Sequence, residues 1–240
     1  VLDDDPRLVI TSMDHPQLHF KCAKRIPPLE YHASISEITD DIFQKIRLSW
    51  QDKNPVPLRD LRYLELKYWG YDNCVHDGQI VVHAQVAQEV ADIFGELFAH
   101  RYPIERMKLI DEYEAKDGFS CADNNSSAFC SRLLTNSDNK WSLHSFGIAI
   151  DVNTRLNPYH KGSYIGPVNG KPFLDRTVKA KGLIRKNDVC YNAFAKRGWK
   201  WAGEWLEQYG YVDYQHFYKE DNLSPDLVAL AKKYTPELTA

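Results

Sequence analysis

The sequence has neither an excess of positive charge nor a long apolar run. The formal net charge of the 240 residues is −3 and the pI is near 6.3. No global basic field is therefore present that would attract nucleic acid or an anionic membrane. No apolar stretch approaches the roughly 20 residues that a transmembrane helix needs. We therefore expect a protein that neither binds nucleic acid nor spans a membrane.

Paired cysteine motifs are also absent. The five cysteines are scattered and none forms a C-x-x-C pair, which argues against a structural zinc site made of thiolates. An odd number leaves at least one thiol without a partner in the same chain. Cys121 and Cys130 are close enough in sequence for a disulfide, and Cys22 is a candidate for a longer link to Cys74 or Cys190. An exported protein would permit such bonds, and the sequence leaves their pairing open.

No internal repeat, low-complexity tract or linker divides the chain. Hydrophobic residues make up 43% and charged residues 26%, which is ordinary globular composition. Prolines interrupt residues 1–35, which we predict to be an irregular N-terminal arm, and residues 36–240 then form one domain. The mixture of helical and strand-like segments predicts an α+β fold, with a small antiparallel sheet flanked by helices.

Apolar spacing predicts several elements in that domain. A helix capped by Ser36 is expected first, and the clearest helix carries a stripe that runs from Val82 to Phe98. The last helix begins with Ser224 as its cap and Pro225 in its first turn. We predict strands over residues 60–71, 104–111 and 209–218, and a helix that starts near residue 189 and stops near Gly198. Residues 117–140 are polar and read as a long loop, a type of segment that often carries function.

The stretch "KWSLHSFGIAIDVN", residues 140–153, places an acid inside a strand that is otherwise typical of a protein core. A buried carboxylate such as Asp151 requires a partner or a metal ion. His144 precedes it by seven residues, and two ligands of one zinc must lie within roughly 4 Å of each other. Seven extended residues span ~23 Å and two helical turns ~10 Å, so the chain must fold back between them. Gly147 permits that turn.

A second cluster stands near the C-terminus, in "DYQHF". His216 is a candidate third ligand, and Asp213 is placed to act as the general base of a metal-assisted hydrolysis. In a regular strand these two side chains would face opposite sides, so we expect a bend or bulge between them. Spacing alone leaves simpler interpretations open: a hydrogen-bonded structural histidine, and an aspartate that caps a helix or forms a salt bridge.

The motifs carry a family resemblance. "SLHSFGIAID" resembles the S-x-H-x-x-G-x-A-x-D signature of the zinc peptidases that include the VanX and VanY D-alanyl-D-alanine peptidases and phage L-alanyl-D-glutamate endolysins. "DYQHF" resembles their second motif, and "NSSAFCSR" and "GWKWAGEW" have counterparts in the same order. The similarity covers about residues 36 to 220. It implies a Hedgehog/DD-peptidase-like fold and one Zn²⁺ ion bound by His144, Asp151 and His216.

The same resemblance implies roles for three further residues. Asp213 corresponds to the catalytic base, and Arg132 to the arginine that steadies the substrate carbonyl and the developing oxyanion. Ser142, at the first position of the motif, is expected to hydrogen-bond near the site or to substrate. Apart from the resemblance, Tyr214 belongs to a dense cluster of Trp and Tyr residues that suggests a substrate wall, so we expect it to contact substrate; a place in the core is the alternative. Having Asp rather than Glu as the base favours the VanY-like and endolysin-like branch. A surface arginine at position 132 and a simple turn residue at position 142 are the structural alternatives.

The resemblance implies a zinc metallopeptidase that hydrolyses stem peptides of peptidoglycan. A D-Ala-D-Ala carboxypeptidase and an L-Ala-D-Glu endopeptidase both stay open. The chain begins with Val1 and shows no wall-binding repeat, so we expect a free-standing periplasmic or secreted enzyme whose signal peptide was removed. The alternatives are a zinc-stabilised, non-catalytic binding module of the same fold and a scaffold that kept the motifs but lost its substrate cleft.

Overall fold

The computed structural model describes residues 30–134 and 139–235 and shows a mixed α and β fold with small antiparallel sheets. The description concerns the compact unit that begins at Tyr31. Residues 1–29 of the predicted arm lie outside the described residues. The strands are β1 (Ala33–Glu37), β2 (Leu61–Trp69), β3 (Val75–His83), β4 (Arg106–Met107), β5 (Asn125–Ser126), β6 (Ala149–Asp151), β7 (Tyr159–Lys161), β8 (Tyr164–Gly166), β9 (Trp199–Trp201), β10 (Val212–Asp213) and β11 (His216–Lys219). The helices are α1 (Asp40–Ile46), α2 (Ala87–Ala99), α3 (Asp117–Ala122), α4 (Val189–Ala195), α5 (Leu206–Tyr209) and α6 (Pro225–Tyr234).

The first sheet has the order β1-β2-β3, and all its pairs are antiparallel. Helix α2 packs on β2 and buries Val90, Phe94 and Leu97, as its apolar stripe predicts. The predicted start of this helix is wrong, because Val82 belongs to β3 and pairs with Arg62. A β-branched valine suits the pleated strand at least as well as the helix, so the apolar pattern continues across the boundary between the two elements.

The predicted cap of the first helix is also wrong. Ser36 lies in β1 opposite Tyr63, and Thr39 caps α1 by accepting a hydrogen bond from the Ile42 amide (3.4 Å). Residues 33–35, which the sequence assigns to the arm, begin this strand. Pairing with β2 satisfies their backbone groups, which local sequence does not reveal.

Two further three-stranded antiparallel sheets lie in the second half of the chain, in the orders β6-β11-β9 and β10-β7-β8. The first of these packs against α4, where Phe217 stacks on Phe194 with ring centroids 4.0 Å apart. Trp199 and Trp201 of β9 are buried in the same core. The predicted helix near residue 189 is confirmed, and so is α6, whose cap Ser224 accepts from the Leu227 amide.

The polar segment 117–140 is not all loop. Its first six residues form α3, and β5 follows and pairs in parallel with β4. The strand predicted over residues 104–111 is shorter in the structure, where β4 has two residues and a 3-10 helix follows at Ile110–Tyr113. Within the described ranges, no helix is long and apolar enough to cross a membrane.

The disulfides that the sequence left open are not formed by the described cysteines. Cys74, Cys121, Cys130 and Cys190 are free thiols, and Cys22 lies outside the described residues. Burial raises the pKa of Cys130 to about 12 and that of Cys121 well above its ordinary value. Both side chains therefore pack as protonated thiols in the interior rather than as a cross-link.

Candidate metal centre

The register of β6 and β11 places an acid and an imidazole side by side. The two strands run antiparallel, and Asp151 is the direct partner of His216. On the other side of β6, Ser127 exchanges two backbone hydrogen bonds with Asp151, of 2.9 and 2.8 Å. Side chains of directly opposed residues share one face of a sheet, so pairing brings together two residues that are 65 positions apart.

His144 reaches the same point from a 3-10 turn, Leu143–Phe146, just before β6. The Ser142 hydroxyl caps this turn by accepting from the His144 amide at 3.3 Å, and Gly147 ends it in the left-handed conformation (φ +68°). The chain therefore folds back where the sequence predicted. Nδ1 of His144 donates a hydrogen bond to the Ala128 carbonyl, which fixes the orientation of the ring. The lone pair of Nε2 is therefore directed to the centre.

Three buried residues with potential ligand atoms converge here. The Nε2 atom of His144 lies 3.2 Å from Oδ2 of Asp151 and 3.2 Å from Nδ1 of His216, and that nitrogen lies 3.0 Å from Oδ1 of Asp151. Ligands about 2.0 Å from a tetrahedral zinc would stand about 3.3 Å apart. Two imidazole nitrogens and one carboxylate at this spacing could hold a metal ion.

Burial and neighbouring charges set the protonation of the three groups. Burial acts to raise the pKa of Asp151, but the two histidines lower it well below its usual range. Burial acts to lower the pKa of His144, and the carboxylate of Asp151 more than offsets this and raises it. The negative charge of Asp151 lies between two imidazoles. A divalent cation bound there would offset this charge, so that no buried charge would be left unpaired.

Asp213 stands beside the triad but belongs to another sheet. It ends β10, where it pairs with Tyr159, and a two-residue turn separates it from His216 at the start of β11. The predicted bend between the two residues is confirmed. Oδ1 of Asp213 is inaccessible and has no hydrogen-bond partner among the described residues. Burial and the charge of Asp151 raise the pKa of Asp213 well above its ordinary value, and Arg132 partly offsets them.

Arg132 is held to the turn that carries His144. Its amide donates to the Ser145 hydroxyl (2.9 Å), and that hydroxyl can donate back to the Arg132 carbonyl (3.0 Å). The guanidinium forms an ion pair with Asp117, with 3.3 Å between Nη2 and Oδ2. Its Nε atom is enclosed and lacks a partner within the described part of the chain. The charge of Arg132 acts on Asp213 and on His144, so the guanidinium lies in the electrostatic surroundings of the centre.

The two predicted substrate contacts have structural partners of their own. Ser142 is buried and its hydroxyl caps the turn before His144. The ring of Tyr214 lies 4.2 Å from the guanidinium carbon of Arg176 and 6.0 Å from the Trp201 ring. Contact of either residue with substrate stays a prediction.

Sequence reasoning missed the residues that orient the others. Ala128 fixes the tautomer of His144 through its carbonyl, Ser145 ties down the backbone of Arg132, and Asp117 pairs with the guanidinium. A backbone carbonyl carries no signal in side-chain chemistry. Ser145 stands inside the first motif, where its position next to His144 was the available signal, while Asp117 looked like any loop acid.

Comparison with known proteins gives one family match. The model of a family described as D-alanyl-D-alanine carboxypeptidase matches residues 135–219. That segment contains His144, Asp151, Asp213 and His216, and Arg132 lies just before it. The resemblance stated from the motifs is confirmed over these residues, and the match supports a peptidase. No curated protein and no solved structure gives a significant match.

Proposed function

We propose that the chain is a zinc-dependent peptidase that cleaves stem peptides of bacterial peptidoglycan. The observation that supports this most strongly is the convergence of three buried residues, His144, Asp151 and His216, whose donor atoms lie 3.0–3.2 Å apart. Beside them, Oδ1 of Asp213 has no hydrogen-bond partner among the described residues. The matched family supplies the substrate class, a peptide that ends in D-alanine. The cleaved bond is either D-Ala-D-Ala or L-Ala-D-Glu.

The donor set suits zinc. Two imidazoles and one carboxylate are ligand types typical of catalytic zinc sites, which keep a further position open. His144, Asp151 and His216 would hold the ion. Zinc in such a site supplies Lewis acidity to the scissile carbonyl and acidifies water at neutral pH.

The chain's own residues would carry the proton and the charge. Asp213 accepts a proton from the attacking water and passes it to the leaving amine, which requires the ionised form of its carboxylate. A nearby divalent cation would favour that form, against the burial that raises the pKa of this group. The Arg132 guanidinium stabilises negative charge on the carbonyl oxygen as the tetrahedral species forms.

A cleavage assay tests the proposal directly. Purified chain with one equivalent of Zn²⁺ is incubated with muropeptides, and mass spectrometry of the products identifies the bond. We expect Asp213→Ala to lower the rate by about 10²–10⁴-fold while its zinc content stays near one ion per chain. The matched control is Asp221→Ala, an exposed acid just after β11, which we expect to cleave like the parent.

Three results would contradict the proposal. A parent chain that binds zinc and cleaves neither bond would favour the non-catalytic binding module or the scaffold without a cleft. An Asp213→Ala variant with the activity of the parent would show that Asp213 is not the base. Stoichiometric zinc in both His144→Ala and His216→Ala would show that these two histidines are not the zinc ligands.

The finer fold and the location belong to the same proposal. The small antiparallel sheets flanked by helices support a Hedgehog/DD-peptidase-like arrangement, whose domain would include residues 33–35 of β1 as well as the predicted residues 36–240. A peptidoglycan substrate would place the enzyme in the periplasm or outside the cell.

A further inference from the structure

Asp117 is the first residue of α3 and lies outside the set of residues that the motifs assign. Its carboxylate is the ionic partner of Arg132, with 3.3 Å between Oδ2 and Nη2. Both side chains are about one-third exposed, at 36% and 31%. The pair therefore lies at the edge of the centre rather than in the core.

The backbone of Arg132 does not need this ion pair. Its amide and carbonyl are both bound to the Ser145 hydroxyl, and the carbonyl also accepts from the Ser142 amide at 3.1 Å. These bonds fix where the side chain starts, but an arginine has several further rotatable bonds. Asp117 is the acidic group among the described residues that pairs with the guanidinium and so restricts where it ends.

The charge of Asp117 affects the pKa of several groups in and near the centre. It raises the pKa of Arg132, against the burial that lowers it, and contributes to the raised pKa of Asp213. It also acts on the thiols of Cys121 and Cys130. Asp117 therefore belongs to the same electrostatic unit as the proposed base and oxyanion group, although it lies 15 positions before Arg132.

We propose that Asp117 is a positioning residue that orients the Arg132 guanidinium toward the scissile carbonyl. This inference rests on the proposed function. A donor that is already oriented stabilises the transition state without reorganisation, whereas a freely rotating arginine must first be ordered. Loss of Asp117 should thus lower kcat more than it raises KM, because the guanidinium acts on charge that develops during the reaction.

The experiment compares substitutions at position 117 in two backgrounds. In the parent, we expect Asp117→Asn to lower kcat by about 10–100-fold with unchanged zinc content and unfolding midpoint. Asp117→Glu, which keeps the charge, should recover part of the loss. In the Arg132→Ala background, the same Asp117→Asn change should alter kcat by less than about twofold, because the group that it positions is gone.

A second aspartate at the end of the same helix provides the control. Asp123 follows α3 and pairs with Arg106, with 3.1 Å between Nε and Oδ2, away from the proposed catalytic arginine. We expect Asp123→Asn to keep the parent kcat. Full activity of Asp117→Asn, or an equal loss with and without Arg132, would overturn the inference while the proposed function stands. A parent chain without cleavage would overturn both.

Discussion

Gly147 combines two requirements that other residues cannot meet. Its φ of +68° lies in the left-handed region, and a Cβ atom there would stand 2.5 Å from the His83 amide nitrogen. The Gly147 carbonyl accepts from that same amide at 2.8 Å, which ties the turn carrying His144 to the end of β3. The glycine thus fixes both the fold-back of the chain and the distance between the site and the first sheet.

Substitution of Gly147 should be costly for stability. We expect Gly147→Ala to lower the free energy of unfolding by about 3 kcal/mol, since backbone strain and a backbone clash add together. The matched control is Gly162→Ala, because Gly162 also has a positive φ (+58°) but nothing within 4 Å of its Cβ position. It should lose only the strain contribution, about 1 kcal/mol. Urea unfolding of both variants measures the difference, and equal losses would contradict the argument from close approach.

At the level of elements, His83 stands at the junction of β3 and α2. Its imidazole Nδ1 accepts from the Gln85 amide at 3.2 Å and so caps the short 3-10 turn that leads into the helix. The side chain is buried, and burial lowers its pKa; the charge of Asp60 opposes this and the charge of Arg62 adds to it. The neutral form is therefore the one that the folded chain accommodates.

This burial predicts a loss of stability in mild acid. Unfolded histidine titrates near pH 6.5, so below that pH the unfolded chain binds a proton that folded His83 resists. The contribution of His83 should be complete above about pH 7.5 and should decline as the pH falls through 6.5 toward the lower folded pKa. His83→Asn keeps an acceptor for Gln85 but does not titrate. We expect its urea midpoint to fall less than that of the parent between pH 8 and pH 5.5, and parallel curves would contradict the assignment.

The elements also show how far sequence could predict this molecule. Long periodic segments such as α2 and β2 were predictable because their buried faces repeat many times. Helix α3 was not, because six residues that include Gly118 and Ser120 carry no apolar period.

The site, too, contains residues that the sequence could predict and residues that it could not. Residues 144, 151 and 216 were identified by motif, and strand register then explains why two of them meet. Asp117 could not be found, because its role depends on a contact between two segments that share no pattern.

For the whole molecule, the proposed metal site is a long-range link. His144 and Asp151 come from a turn and a strand in the middle of the chain, and His216 joins them from 65 or more positions later. An unfolded chain cannot present these three ligands together, so an ion that binds the folded state should shift the unfolding equilibrium.

Zinc should therefore stabilise the folded chain by an amount that grows with the logarithm of its free concentration above the Kd. At a free zinc concentration 100 times its Kd, the stabilisation would be about 2.7 kcal/mol, or roughly 5–10 °C in Tm for a domain of this size. A chelator should reverse the shift, and Mg²⁺, which prefers oxygen ligands, should not reproduce it. His216→Ala should lose the response, whereas His160→Ala, whose ring binds the Gly162 carbonyl instead, should keep it. If zinc raised the Tm of His216→Ala as much as that of the parent, the ion would bind elsewhere. Within residues 30–134 and 139–235, His144, Asp151 and His216 form the one group of potential metal ligands, and that group needs His216 to join the middle of the chain to β11.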